Sequence, residues 1–532
     1  MRVSTFAFAA LSIPHLSSAA ALNFPTTYRL PASPSAYPSH ENTSSAYRAE
    51  QVKAAFKFAW DGYYKYAFPN DELKPVTNSF SNSRNGWGAS AVDALSTAIL
   101  MELPEVVEQV VAHIQIVDYT KTDPNIPVSL FETTIRYLGG MLSGYDLLKG
   151  PFAHLAPSVS GDEALDKILA QSKILADTLA YAFYTPSGLP YNNLYPLNRS
   201  TDNDPLNGPA GAGTLVLEWT RLSDLLDNPV YAALAQRAQQ NLLHPKPSWT
   251  EPWPGLVGST VNVTSGLFTD ADGSWSGGVD SFYEYLLKLW IYDPKRFGEY
   301  RERWIAAADS TIAHLPSHPI SRPDITWLAA YSGRNLLNQS QHLTCFDGGS
   351  FLLGGATLNE QKYIDFGLEL VDGCHETYTA TATGIGPEIF AWNTTILAQM
   401  NSTNTSIFFA EHGFFIADSS YVLRPEVIES YYHAYRVTKD PKYQDWTWQA
   451  FQSIVHTTKV NEGFSSIANV NVVGGGGFAD MQESFLFAEV LKYCFMIFAD
   501  QGAEWQVLDK GVKGGNKWVF NTEAHPVRVF GS

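Results

Sequence analysis

The chain has 532 residues, a formal net charge of −18, 13% aromatic residues and only 17% charged residues. Such a composition can bury a large core and excludes an extended disordered chain. The acidic balance argues against a nucleic-acid partner, because that partner requires a basic face that releases counterions. Composition alone does not decide the chemistry.

The N-terminus has the pattern of a signal peptide over residues 1–21. Arg2 gives a short basic start, residues 6–13 are mostly apolar, and Ser18 to Ala21 offer the small residues that signal peptidase requires. The apolar run is too short for a membrane span, and no later stretch reaches about 18 unbroken apolar residues. We therefore expect a secreted protein without a membrane anchor.

N-glycosylation sequons support the secretory route. Asparagine followed by any residue and then Ser or Thr marks a glycan acceptor in a secreted protein. The seven candidate sites are Asn42, Asn198, Asn262, Asn338, Asn393, Asn401 and Asn404.

The chain has three cysteines, which lie far apart at Cys345, Cys374 and Cys494. In an oxidising compartment two should pair and one should remain a buried thiol. Cys494 lies in an apolar run over residues 491–498 and fits a core thiol. The wide spacing argues against a thiolate metal site.

Helical patterns dominate after a Pro/Ser-rich leader at residues 22–46. Several of the helices come in pairs joined by short turns, in which Asp caps the next helix and Pro fits its first turn. Glycine-rich stretches separate the pairs. The apolar periodicity predicts amphipathic helices over 47–66, 128–148, 162–183, 213–226, 230–243, 280–292, 294–315, 358–378, 425–436, 441–457 and 481–499.

No long linker divides residues 47–532, so the repeated helical hairpins predict a single domain. We interpret them as one closed all-α toroid, in which inner helices surround a cavity. Two separate α domains are the alternative. We expect a monomer.

Acidic residues lie among Phe, Tyr, Leu and Ile at or near the starts of several predicted helices. A single carboxylate there is explained by the positive N-terminus of a helix. Several around one cavity destabilise each other unless they bind a cation, a sugar or protons. That combination predicts glycoside hydrolysis, which uses two carboxyl groups across the scissile bond. The set comprises Glu132, Asp280, Glu284, Glu388, Glu426, Glu429 and Glu483.

At these residues the sequence resembles the class I α-1,2-mannosidases of glycoside hydrolase family 47, from about Tyr47 to Pro526. The resemblance implies an (α/α)7 barrel that a C-terminal β-hairpin plugs at one end. It is carried by the blocks NGWG at 85–88, VDAL at 92–95, FETTIRYLGG at 131–140, DSFYEYLLK at 280–288, HLTCF at 342–346, RPE at 424–426, ESF at 483–485 and VFNTEAHP at 519–526.

The resemblance also implies an activity: calcium-assisted hydrolysis of terminal α-1,2-linked mannose from high-mannose N-glycans, with inversion of configuration. Glu132 would be the general acid, acting through a water, and Glu426 the general base. Asp280 would be the third essential carboxylate, with its role open between acid and base.

A calcium site and sugar subsites follow from the same resemblance. Thr522 would give calcium its hydroxyl and carbonyl oxygens, while waters held by Glu429, Glu483 and Glu523 would complete the coordination. Cys345 and Cys374 match the disulfide of the family. The sugar subsites would be lined by Arg136, Glu218, His342, Glu388 and Arg424.

One position departs from the family members that remove a single mannose. Those enzymes have arginine two residues before the aspartate that matches Asp280, whereas this chain has Gly278. The loss of that side chain should widen the cleft and relax the choice between glycan branches.

Two other functions compete with this interpretation. A non-catalytic glycan-binding relative would keep the barrel, but the joint presence of Glu132, Asp280, Glu426 and Thr522 argues against it. A different α/α-toroid glycosidase acting on plant or bacterial polysaccharide is opposed by the NTEAHP block at 521–526.

Overall fold

A computed structural model describes residues 44–159, 161–400, 402–508 and 515–532. The predicted signal peptide, Asn42 and Asn401 lie outside these residues, as does nearly all of the leader. No helix in these ranges is both long enough and apolar enough to cross a membrane.

Helices make up most of the described chain, and the strands are short. The α-helices are α1 Ser45–Tyr66, α2 Ala89–Leu100, α3 Pro104–Ile116, α4 Leu130–Thr133, α5 Gly139–Lys149, α6 Gly161–Leu179, α7 Pro209–Gly213, α8 Val216–Leu226, α9 Val230–Leu243, α10 Asp280–Tyr292, α11 Gly298–His314, α12 Asp347–Leu358, α13 Gln361–Thr379, α14 Thr394–Met400, α15 Thr403–His412, α16 Glu426–Thr438, α17 Lys442–Thr458 and α18 Leu491–Met496. Two π-helical segments, Thr134–Leu138 and Leu486–Val490, lie between α4 and α5 and directly before α18.

Within the described residues, seven pairs of helices, six of them hairpins, close into a ring. The paired helices are α2 with α3, α5 with α6, α8 with α9, α10 with α11, α12 with α13, and α16 with α17, and the first helix, α1, packs against the last, α18. The inner helices touch in the cyclic order α2, α5, α8, α10, α12, α16 and α18, and the π-helical segment before α18 returns to α2. The predicted all-α toroid, an (α/α)7 barrel, is confirmed.

The helices differ in how well their sequences predict them. Helices α9 and α10 have the predicted bounds. Outer helix α9 has alternating polar and apolar faces, whereas inner helix α10 is almost fully buried and is marked by the glycine-rich loop before it and the Asp293-Pro294 turn after it. Helix α2 was not predicted, because all of its residues are buried and no polar face interrupts them. Helix α12 was missed because it is rich in glycine; a Cβ atom at Gly354 would lie 2.1 Å from Trp304.

The predicted helix over residues 128–148 is more irregular than expected. Val128 and Ser129 form a strand, and α4, the π-helical segment and α5 then follow without a break. The predicted helix at 481–499 likewise begins only at the π-helical segment that starts at Leu486. Each π turn holds one more residue than an α turn, and such turns are frequent at functional sites.

The strands form antiparallel pairs and three-stranded sheets in the loops. They are β1 Glu72–Lys74, β2 Ser79–Ser81, β3 Val128–Ser129, β4 Asn193–Tyr195, β5 Ser200–Thr201, β6 Leu206–Asn207, β7 Val261–Asn262, β8 Asp272–Gly273, β9 Pro316–Ser317, β10 Trp327–Leu328, β11 Ala330–Ser332, β12 Asn335–Leu337, β13 Gln339–Gln341, β14 Ile389–Ala391, β15 Phe415–Asp418, β16 Lys459–Val460, β17 Gly463–Phe464, β18 Trp518–Phe520 and β19 Pro526–Arg528.

The last hairpin, β18 and β19, plugs the barrel. Its register pairs Val519 with Val527. Beyond β19, Phe530 N–H donates to the Tyr292 carbonyl, at the C-terminal end of α10. The turn over residues 521–525 reaches the opposite end of the barrel, where the Asn521 amide donates to Glu218 in the first turn of α8 (2.9 Å). The hairpin therefore runs along the barrel from the C-terminal ends of the inner helices to their starts.

The disulfide that the resemblance implies joins Cys345, before α12, to Cys374 in α13. Cys494 is a buried free thiol in α18, as the apolar run around it predicts.

Candidate active site

The starts of the inner helices bring the predicted carboxylates together. Glu132, Glu218, Asp280 and Glu426 each lie in the first turn of an inner helix or of the segment leading into one. Inner helices of a ring of hairpins run in one direction, so these first turns share one end of the barrel. The positive ends of the helix dipoles favour negative charge there.

Glu132 is held between two arginines. Its backbone N–H is capped by Ser129 Oγ (3.2 Å), while Arg136 Nε donates to its Oε2 (2.8 Å) and Arg84 Nε lies 3.5 Å from the same oxygen. Burial alone would raise the pKa of Glu132, but the charges of Arg136 and Arg84 outweigh burial and hold the pKa below its ordinary value. Glu132 is therefore a carboxylate in the resting protein.

Arg136 links Glu132 to the plug. Its Nη1 lies 2.7 Å from Glu523 Oε2 and 3.5 Å from Asp93 Oδ2. The first contact is an ion pair by distance, yet neither of these carboxylate oxygens accepts a hydrogen bond of good geometry within the described chain. The same nitrogen donates to Ser484 Oγ (3.4 Å), next to the predicted site residue Glu483.

A second group of charges surrounds Glu426. His342 Nδ1 donates to Glu426 Oε2 (2.7 Å), and the other ring nitrogen of His342 contacts the Tyr378 hydroxyl (2.8 Å). Burial would raise the pKa of Glu426, but the hydrogen bond from His342 and the Arg424 charge lower it. Arg424 also donates to Glu388 (2.5 Å), so the predicted subsite residues on this side form one network.

Asp280 has the opposite electrostatic environment. Burial raises its pKa to about 7; the Ser281 N–H, which donates to its Oδ1 (2.7 Å), opposes that rise, and the nearby charge of Glu284 adds to it. Asp280 thus keeps a proton at a pH where Glu132 and Glu426 have lost theirs. Two carboxyl groups with separated pKa values are the usual arrangement of a general acid and a general base.

Two further predicted carboxylates, Glu429 and Glu483, lie beside this group. Burial raises the pKa of both, and Tyr493 donates to Glu429 Oε1 (2.9 Å). The charge of Arg84 partly offsets the burial of Glu483.

Thr522 lies at the tip of the plug and fits a hard cation. Its neighbours Asn521 and Glu523 are buried, whereas Thr522 is half-buried. Within the described ranges neither its carbonyl nor its hydroxyl oxygen takes part in a hydrogen bond, and Glu218 Oε2 is buried without a partner. These unpaired oxygens are the donor type that calcium takes.

The carboxylates do not form a direct metal cage. The described residues contain no group of three His, Cys, Asp or Glu side chains placed to hold an ion. The residues therefore fit an ion bound mainly through Thr522 and through waters, which is the arrangement that the resemblance implies.

Sequence reasoning missed several charged residues of this pocket. Asp93 lies fully buried in α2 and contacts His525 Nε2 (3.2 Å), and Arg84 belongs to the loop before α2. Glu489 and Lys492 are buried in the last inner helix, where an acid and a base three residues apart in an apolar run were the available signal.

Among the described sequons, Asn262 lies at the end of strand β7, Asn198 ends a short 3-10 helix, and the others lie in a loop or at a helix start. Asn198 and Asn404 are exposed, whereas Asn262, Asn338 and Asn393 are half-buried. All of these sites stay predictions.

Comparison with known proteins shows the family of the chain. The model of the family "Glycosyl hydrolase family 47" matches residues 55–529. The chain is 56% identical over 496 residues to mannosyl-oligosaccharide α-1,2-mannosidase 1B of Aspergillus phoenicis, covering 93% of this chain and 94% of that protein. It is 54% identical over 489 residues to mannosyl-oligosaccharide α-1,2-mannosidase of Penicillium citrinum, covering 92% and 93%.

The fold is also similar to that of a solved structure. The α-1,2-mannosidase from Trichoderma reesei superposes with a TM-score of 0.88 at 48% identity, over 92% of this chain and all of that one. The chain therefore belongs to glycosyl hydrolase family 47, the class I α-1,2-mannosidases, and is a glycoside hydrolase.

Proposed function

We propose that this protein removes terminal α-1,2-linked mannose from high-mannose N-glycans, with inversion of configuration. The observation that carries the proposal is the pairing of two differently charged carboxyl groups at one end of the barrel. Glu426 is ionised beside His342, and Asp280 is protonated up to a pH of about 7. The names of relatives that match more than nine-tenths of the chain support the substrate class.

Each carboxyl group has a role that its surroundings suit. Glu426, ionised and oriented by His342, would take a proton from the attacking water. Glu132 is ionised between its arginines, so it would have to take up a proton before it could relay one through a water to the leaving oxygen. Asp280 is the carboxyl group that enters the reaction already protonated, which favours an acid role for it.

Calcium dependence is a general property of this family, and we propose that it holds here. Thr522 would hold the ion with waters fixed by Glu429, Glu483 and Glu523. When bound, the ion would supply a positive charge that coordinates sugar hydroxyls.

Gly278 supports broad trimming of the glycan. A Cβ atom at this position would meet no atom within 4 Å, so the backbone here faces open space. Without a side chain to contact one branch, the enzyme should remove all four α-1,2-linked mannoses of a nine-mannose glycan.

We further propose that the protein is secreted as a monomer. The Cys345–Cys374 disulfide supports folding in an oxidising compartment. N-terminal sequencing of protein from the culture medium should find a start near residue 22.

The activity is tested with an α-1,2-linked mannose disaccharide, followed by NMR of the released sugar. We expect β-mannose as the first product, before mutarotation, and no cleavage of α-1,3- or α-1,6-linked controls. The matched control is Glu426→Gln, which keeps the side-chain shape. A folded, calcium-loaded protein that binds the disaccharide without cleaving it would instead be a glycan-binding relative.

A further inference from the structure

The tip of the plug is a tight turn held by its own side chain. Asn521 Oδ1 accepts hydrogen bonds from Glu523 N–H (2.9 Å) and His525 N–H (2.8 Å), and the Ala524 N–H donates to the Asn521 carbonyl (3.1 Å). Ala524 has a φ of 54°, a left-handed conformation that alanine rarely adopts. Such a turn needs support from its surroundings to persist.

Two buried lysines of the barrel wall supply that support. Lys288 Nζ, from α10, donates to the Asn521 carbonyl (3.3 Å), and Lys492 Nζ, from α18, donates to the Ala524 carbonyl (2.6 Å). Both side chains are almost fully buried. The two carbonyls belong to the residue before Thr522 and the second residue after it, so the lysines hold the backbone on either side of Thr522.

The same contacts leave Thr522 available to a ligand. Its N–H donates to the Tyr285 hydroxyl (3.2 Å), so the peptide between Asn521 and Thr522 is fixed by Lys288 at its oxygen and by Tyr285 at its nitrogen. Among the residues of the described ranges, none donates to the carbonyl or hydroxyl oxygen of Thr522. The turn is thus fixed in place while these two oxygens stay free.

Lys492 lowers the folding stability of the protein when it is charged. Its side chain is fully buried, and no carboxylate of the described chain lies within 4.0 Å of its Nζ, whereas Lys288 forms an ion pair with Glu284. Burial lowers the pKa of Lys492 to about 7, although Glu489, Asp93 and Glu523 attract its charge from farther away, so the charged form lowers stability. The hydrogen bond that Lys492 Nζ donates is the one to the Ala524 carbonyl.

We propose that Lys288 and Lys492 are positioning residues that hold the plug turn so that both oxygens of Thr522 face a calcium ion. They reach the ion only through the backbone and contact neither it nor the sugar. This inference rests on the proposed calcium dependence.

The experiment uses the whole protein, stripped of metal by a chelator and titrated with CaCl2 in a calorimeter. Lys492→Met keeps the length and apolar stem of the side chain but removes the donor. We expect its Kd for calcium to rise by at least about tenfold, as for other residues that orient a metal ligand. The Tm of its metal-free form should equal or exceed that of the unmodified protein, because a buried charge is gone.

The matched control is Val527→Ala, in the same hairpin but away from the turn. This fully buried valine pairs with Val519, so its truncation should lower the metal-free Tm. Its Kd for calcium should stay within about twofold of the unmodified value. Lys492→Arg, which keeps a charged donor, should bind calcium more tightly than Lys492→Met.

The outcomes separate the two proposals. If the unmodified protein binds no calcium, the calcium proposal fails and this one with it. If it binds calcium and Lys492→Met binds equally tightly, only the positioning role is overturned. If Val527→Ala lowered both the Tm and the calcium affinity, the positioning role would also be overturned. A general loss of stability in the hairpin would then explain the weaker calcium binding of Lys492→Met. Should Lys492→Met not fold, Lys492→Gln takes its place under the same criterion.

Discussion

Gly278→Arg should convert a broad trimming enzyme into a branch-selective one. Gly278 has a φ of +96° and its carbonyl accepts a hydrogen bond from Ala210 N–H (3.0 Å), so any side chain there strains the backbone. A left-handed conformation costs an L-residue roughly 1–2 kcal/mol. Gly278→Ala carries the same backbone cost, so the difference between the two variants isolates the arginine side chain.

The size of the effect follows from hydrogen-bond energies. A charge-assisted hydrogen bond contributes roughly 1.5–3 kcal/mol, and ordering the side chain costs about 2 kcal/mol. Two bonds to one branch therefore leave a net of about 1–4 kcal/mol, which corresponds to a rate difference between branches from about fivefold to several hundredfold. The open space around Gly278 leaves room for the side chain.

The assay follows a labelled nine-mannose glycan by chromatography and fits a rate constant for each branch. We expect even trimming by the unmodified enzyme and by Gly278→Ala, and accumulated intermediates with Gly278→Arg. Equal branch ratios in the alanine and arginine variants would refute the role of this position. An unmodified enzyme that stalls after one mannose would do the same.

Three other predictions concern the site. Glu132→Gln and Glu426→Gln should each lower kcat by at least ~100-fold without changing the Tm by more than a few degrees; near-normal turnover would remove that residue from the mechanism. His342→Leu should move the acidic limb of the kcat/KM profile to higher pH, because the pKa of Glu426 rises when it loses this hydrogen bond; an unmoved limb would mean that Glu426 is not the base. Chelation should abolish activity, added calcium should restore it, and Thr522→Ala should weaken calcium binding in calorimetry; full activity after metal removal would contradict this.

The sequence predicts most of the outer helices because they have an apolar and a polar face, although the outer helix α3 was missed. It fails for α2 and α12, which are buried on most sides and lack the periodicity that marks an amphipathic helix. Most of the strands could not be predicted from the sequence, for a different reason. Segments of two or three residues are too short to show an alternating pattern, and their pairing depends on the loops around them.

The acids at helix starts were predictable, but their partners were not. Glu132 and Arg136 are four residues apart on one helix surface, so their contact follows from spacing. The contact of Arg136 with Glu523 joins residues almost 400 positions apart and exists only after the ring has closed and the hairpin has entered it. Long-range contacts of this kind set the pKa values, which spacing alone does not give.

The position of the plug in the chain has a consequence for biosynthesis. Glu132, Asp280 and Glu426 all leave the ribosome before the hairpin Trp518–Arg528 does. A nascent chain can build most of the ring early, but Thr522 reaches the carboxylates only in the last stage of folding. Translation that stops before the hairpin would yield a barrel with its acidic residues in place but without Thr522. If catalysis needs calcium at Thr522, the pocket is therefore complete only once the hairpin has been made.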